Sequence, residues 1–397
     1  MTKQGLTLVT FSLSLLSKLI SDYQVNVCGA NPTFWGRIVT ATLCLFMFVL
    51  CVEYKPEGII KSKCGVLGGL LVHWGIVILT SFIMDGHILH ADIILIIFVI
   101  LLFSCRYDDM LFQKMIKIAV VFLGLHCIVS VWLLVQGKAL STDYVDGIFY
   151  PYISVRLKGT QFHVNTLGGL SAATAISGAY FANPIIFISG LIACIFSQSK
   201  ASLGGMILGL LVLFYDRLKE NKYSKLIVYG LMVAAIIFIL PEMLGAFDLT
   251  FTGRTNTWQM FIDRWLSSPV NFIFGLTQST LEGRVYCENQ YVQSLTKNGI
   301  LGGIAFAFLL YKFYKSCKKS YDRGSKLPLL LFIMILTRCT CESYFASMSR
   351  SDCYFLLLLL VIIRDESREI MGLEECMEDD RNMFRKWISL GGYRGGR

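Results

Sequence analysis

The chain has 397 residues, of which 55% are hydrophobic and only 16% charged, with a mean hydropathy of +0.62. A soluble domain carries roughly a quarter charged residues, so composition excludes an ordinary soluble enzyme and points to an all-α, polytopic integral membrane protein. The net charge of +9 would suggest nucleic acid in a soluble protein; here it reflects membrane topology, and no nucleic-acid partner is expected.

Apolar runs close to the ~20 residues that cross a bilayer recur along the chain. The first, Leu6 to Ile20, contains Lys18 and lacks a small-residue cleavage site, so it reads as a span rather than a cleaved signal. Twelve spans are predicted, at about 5–21, 35–53, 64–84, 88–104, 115–135, 163–181, 184–197, 202–216, 225–244, 289–311, 327–345 and 352–364. Residues 1–364 thus form one transmembrane domain, and 365–397 a polar, solvated tail.

With a cytoplasmic N-terminus, the short inner loops hold Lys55, Lys61, Lys63, Arg106, Lys114, Lys117, Arg217, Lys219, Lys222, Lys225 and the basic run Lys312 to Lys326. This is the positive-inside pattern. With an even number of spans it places both termini in the cytoplasm. The outer cations differ in kind: Arg37, Arg156, Arg254, Arg264, Arg284, Arg338 and Arg350. Topology does not ask for arginine there, whereas a planar fork of donors suits phosphate and carboxylate.

Two outer segments are long, about 136–162 and 245–288, and loops of that length are usually functional. The first ends in "YPYISVRLKGTQFHVN", with Arg156, Lys158, His163 and Asn165 leading into a span. The second contains "FTGRTNTWQMFIDRWL", in which Trp258, Phe261, Ile262, Trp265 and Leu266 fall on one helical face. Thr252 or Thr255 is the predicted N-cap. A helix of this kind suits the membrane interface, and Arg254 at its N-terminus would join the positive end of the helix dipole in an anion site.

Further on, "ENQYVQSLTKNGILGG" puts Glu288 and Asn289 where the chain re-enters the membrane, with Tyr291, Leu295 and Gly299 on one face below. Glu288 is either a salt-bridge partner or a general base. Lys200 lies at a span junction in "SQSKASLGG", and Arg338 and Glu342 are spaced to pair as i and i+4. The scattered cysteines read as buried thiols, and Cys339 and Cys341 are too close for an ordinary disulfide. No phosphate-binding lysine loop, outer carboxylate pair or histidine cluster suggests ATP, metal or cofactor.

In this order, "RLKGTQFHVNTLG", "SQSKASLGG", "TGRTNTW" and "ENQYVQSLTKNGILGG" resemble the outer-face segments of the bacterial O-antigen polymerase (Wzy) and O-antigen ligase superfamily, over residues 150 to 360. The first five spans match that family only as hydrophobic segments. The resemblance implies a metal-independent glycosyltransferase that joins undecaprenyl-diphosphate-linked oligosaccharide repeat units at the periplasmic face, making O-antigen, capsule or exopolysaccharide. Its partners would be the lipid-linked oligosaccharide, membrane lipids and a polysaccharide chain-length regulator.

Ligases, and many polymerases, have a histidine where this chain has Glu288. That departure favours the polymerase over the ligase that transfers glycan to lipid A–core, and makes Glu288 the substitute base. Arg156 and Arg254 would stabilise the leaving diphosphate, assisted by Lys200 and Arg284, with Arg338 and Arg350 further along the outer edge. Asn165 and Asn289 would position sugar or backbone. A lipid-linked oligosaccharide transporter is the alternative of another class. It would need polar residues deep within the spans, where this chain has few.

Overall fold

A computed structural model describes residues 2–54, 64–86, 93–104, 109–145, 152–219, 254–277, 287–342 and 353–370. Among the described residues it is a helical bundle with one small hairpin. Helices α1 (Lys3–Asn26), α2 (Pro32–Glu53), α3 (Cys64–Asp85), α4 (Ile93–Ser104) and α5 (Asp109–Val135) precede strands β1 (Leu140–Val145) and β2 (Tyr152–Leu157). Then come α6 (Val164–Tyr180), α7 (Pro184–Ser197), α8 (Lys200–Lys219), α9 (Arg254–Leu266), α10 (Pro269–Phe274), α11 (Gln290–Lys297), α12 (Gly299–Asp322), α13 (Leu327–Arg338) and α14 (Cys353–Ile370).

The helix starts follow local chemistry. Asn31 accepts from the Thr33 and Phe34 amides and Pro32 opens α2; Asn183 accepts from Ile186 ahead of Pro184 in α7. Side-chain caps satisfy amides that have no intrahelical acceptor, and proline at the first turn loses no bond. Among the described residues, five helices are long and apolar enough to cross a membrane: Lys3–Asn26, Pro32–Glu53, Gly65–Asp85, Asp109–Val135 and Gly299–Asp322. Ile93–Ser104, Pro184–Ser197, Lys200–Tyr215 and Leu327–Arg338 are shorter apolar helices. The outward faces of α1, α2 and α5 carry Val9, Leu13, Leu16, Phe48, Ile128 and Trp132, all exposed, as expected where lipid replaces water.

Helix α6 is the centre of the bundle, buried from Val164 to Gly178. Its small side chains let α7 come close: a methyl group on Gly190 would stand 2.6 Å from the Ala175 nitrogen, and one on Gly178 2.4 Å from that of Phe187. Where apolar lipid gives helices no hydrophobic reason to associate, such close packing is what holds them.

The bundle differs from expectation in four places. The first long loop folds into an antiparallel hairpin, with Ser141 opposite Arg156, so the chain is not purely helical. The expected span at 289–311 is broken at Asn298–Gly299 into a short polar α11 and a long α12; Gly299 adopts the left-handed φ of +66°, so Tyr291, Leu295 and Gly299 do not share one continuous helix. Helix α13 ends at Arg338 rather than near 345, in a turn through Cys341. Helix α9 starts at Arg254, placing Thr255 inside it rather than at its cap. The expected span at 225–244, the proposed cap Thr252 and the tail beyond Ile370 lie outside the described residues.

Polar groups gather at the two ends. At one, Arg368 grips Asp109 through two bonds of 2.6 and 3.0 Å, Arg364 pairs with Asp365, and Ser316 donates to Glu366. The other end carries the hairpin, the N-terminus of α6, the C-terminus of α13 and helices α9 to α11.

Candidate functional site

Asn165 is the hub of that second end. It is the second residue of α6 and 5% exposed. The His163 ring Nδ1 accepts its backbone N–H at 3.2 Å and so caps the helix. Two arginines converge on it. Arg156, on β2, donates from Nη2 to Asn165 Oδ1 at 2.8 Å, and from Nε to the Ser197 carbonyl at the end of α7 at 3.1 Å. Arg338, the last residue of α13, donates from Nη2 to the Asn165 carbonyl at 2.9 Å. Arg338 also hydrogen-bonds the Tyr354 hydroxyl and lies over its ring, 5.1 Å from the centroid. Only 3% of Arg338 is exposed; a guanidinium this deep needs such a set of acceptors.

A second arginine system sits alongside. Arg254 opens α9, its Nε 2.7 Å from Glu288 Oε2, and its Nη1 donates to the Cys341 carbonyl at 3.1 Å. Glu288 has a left-handed φ of +55°, a conformation uncommon outside glycine and asparagine, and its side chain is 52% exposed. Asn289 accepts from the Tyr291 and Val292 amides at 3.0 and 3.1 Å, capping α11. The Gln290 amide donates to the carbonyls of Cys339 and Glu342. That bond ties the start of α11 to the turn after α13.

Glu342 joins the two systems. It is buried, and the Asn165 side chain hydrogen-bonds it. Burial pushes its carboxyl above the ordinary glutamate range, the nearby Glu288 adds to the rise, and Arg338 and Arg254 oppose it. Burial likewise raises the Cys341 thiol, and pushes Cys287 up to about 12, so both stay protonated and unreactive near neutrality.

Helix α9 brings Arg254 to this place by packing. Phe261 and Trp265 are buried with Leu276 and Cys287, and Trp258, Met260, Val292 and Leu295 pack around them. The Trp258 and Trp265 indole N–H groups donate to the carbonyls of Cys287 and Phe272, at 2.9 and 3.0 Å. The face predicted from spacing is thus divided: its tryptophans and Phe261 face protein, while Leu266 is exposed.

The structure therefore brings Arg156, Asn165, Arg254, Glu288, Asn289 and Arg338 into one region. Lys200 opens α8, exposed, three residues after Ser197. Arg284 and Arg350 lie outside the described residues. The expected i, i+4 partner of Arg338, Glu342, lies near enough for Arg338 to favour its charged form, while Arg338 also donates to Asn165 and Tyr354 and Asn165 hydrogen-bonds Glu342. Gln290 and Ser197 were not foreseen, because both act through backbone groups that carry no side-chain signature.

The fold and this site define a class: a helical membrane protein with an arginine-rich, hydrogen-bonded site at one end of its bundle. No protein-family model matches the chain, and no curated protein matches it.

Proposed function

We propose that the chain is a polysaccharide polymerase of twelve spans in the bacterial inner membrane, with this site at its periplasmic face. It joins oligosaccharide repeat units carried on undecaprenyl diphosphate. The observation that carries the reading is the convergence of Arg156 and Arg338 on Asn165, with Arg254 beside them around Glu342. A cluster of fixed guanidinium groups beside an apolar bundle suits a diphosphate at the end of a lipid.

In the transfer, an acceptor hydroxyl oxygen attacks the anomeric carbon. The bond from that carbon to the diphosphate oxygen breaks, and the electron pair leaves with the diphosphate. Negative charge grows there, so prearranged cations stabilise the transition state more than the ground state. Arg156 and Arg254 face that charge. Lys200 opens a helix, where the dipole disfavours a cation unless an anion is near; a bound diphosphate supplies one. Buried Arg338 acts through Asn165. Glu288, half-exposed, takes the proton of the acceptor hydroxyl, and Arg254 holds its carboxylate in place. Glu342, deeper, holds Asn165.

The reading is tested by deleting the gene in its host and examining the surface glycans on a gel, with wild type, Arg254→Ala or Glu288→Gln restored. A polymerase leaves single repeat units in the deletion, and only wild type restores the ladder. Bare lipid core with polymer accumulating on undecaprenyl diphosphate would instead make the protein the ligase. Unchanged glycans would reject both.

A further inference from the structure

Away from the arginine cluster, a second set of polar side chains is buried between α1 and α5. We propose that Asp22, His126 and Gln161 are positioning residues that lock the turn setting Arg156 against Asn165.

Arg156 and Asn165 stand on either side of the turn at residues 158–163. Turns at the end of a bundle normally lie in solvent. This one enters the protein: Thr160 is fully buried and Gln161 is 3% exposed. Burying so much polar surface is costly unless each group finds a partner, and α1 and α5 provide them. The Thr160 amide donates to Ser130 Oγ at 3.2 Å, and its carbonyl accepts from Asn26 Nδ2 at 2.9 Å. Its hydroxyl lies 3.0 Å from His126 Nδ1. The Gln161 amide group donates to Asp22 Oδ2 at 3.3 Å and also lies 3.5 Å from His126 Nδ1. Asp22 is paired in turn with Lys18, so the set holds one cation against one anion.

His126 and Asp22 thus meet the site through the turn, not directly. Three hydrogen bonds fix Thr160 from two helices. That fixes the end of β2 and the start of α6, and with them the separation that allows the 2.8 Å bond from Arg156 to Asn165. A buried hydrogen-bonded network specifies one arrangement where apolar packing would tolerate several. The inference rests on the reading that Arg156 and Asn165 serve glycan transfer.

The test uses the full chain, both in the complemented host and purified in detergent for amide hydrogen exchange. For His126→Leu we expect normal protein levels, exchange in residues 158–163 faster by about tenfold or more, and a shortened glycan ladder. His126→Asn, which can still bond Thr160, should restore both. Thr160→Val, a smaller change that guards against misfolding of the histidine variant, should reproduce its effect, and the double variant should be no worse than either alone. Unchanged exchange at the turn in His126→Leu and Thr160→Val, additive losses, or a full ladder despite faster exchange would each overturn the proposal. If deleting the gene alters no surface glycan, the polymerase reading falls instead, and turn exchange alone decides whether the network locks the turn.

Discussion

The guanidinium of Arg338 occupies the space that a side chain on Gly169 would need. A methyl group on Gly169 would stand 2.1 Å from Arg338 Nη1 and 2.2 Å from its central carbon. The absence of a side chain in α6 is therefore part of how Arg338 reaches the Asn165 carbonyl.

Gly169→Ala should accordingly displace Arg338, destabilise the protein by about 1–3 kcal/mol as overpacked cores do, and shorten the glycan ladder. Gly204→Ala is the control, since its nearest neighbour is a Thr337 methyl at 3.9 Å. Thermal unfolding in detergent, beside the ladder in the host, separates the two variants.

Arg254 and Glu288 should separate function from stability. Their pair is partly exposed, and such pairs contribute about 0–1 kcal/mol. Arg254→Ala and Glu288→Gln should leave the melting temperature nearly unchanged while polymer formation falls by about a hundredfold, the scale of losing a charge-stabilising donor. A large loss of stability would mark the pair as structural.

Glu342 carries a pH signature. Its carboxyl is raised by burial, so the folded state holds that proton more tightly than the unfolded chain. Its contribution to stability is complete below the unfolded value of about 4.3 and is lost as pH rises through the folded one. Glu342→Gln mimics the protonated form, so its melting temperature relative to wild type should rise as pH goes from about 4 to about 8. A relative fall would mean that attraction to Arg254 and Arg338 outweighs burial.

The docking of α9 depends on its protein-facing side. Phe261 is fully buried and Leu266 is 58% exposed. Phe261→Ala should cost about 3–5 kcal/mol and expose α9 to limited proteolysis, whereas Leu266→Ala should do neither.

Much of this site was legible in sequence because its side chains are unusual for their setting. Arg156, Asn165, Arg254, Glu288 and Arg338 are polar or charged groups beside apolar runs. Their partners were not legible, because many are carbonyls distant in sequence: Ser197 for Arg156, Cys341 for Arg254. The hairpin carried only half a sign: Tyr152 to Leu157 is rich in strand-forming residues, but its partner Leu140 to Val145 is interrupted by Ser141 and Asp143. The break before α12 had a local sign, the Asn298–Gly299 pair, which the continuous apolar run beyond it obscured. His126, Thr160 and Gln161 belong to no sequence pattern; only the fold brings them together across α1, α5 and the turn.

Gly275 and Gly299, both with left-handed φ of +97° and +66°, cross where side chains are excluded on each. A methyl on Gly275 would stand 2.1 Å from the Lys297 carbonyl, and one on Gly299 2.1 Å from that of Ile273. The Leu276 amide bonds the Thr296 carbonyl beside them at 3.1 Å. This joint is made of main chain. It has no charge for salt to screen, no proton for pH to remove and no rotamer to change. The α9–α10 segment is thereby riveted to α12, and Arg254 inherits the frame of a membrane-length helix rather than that of a loop.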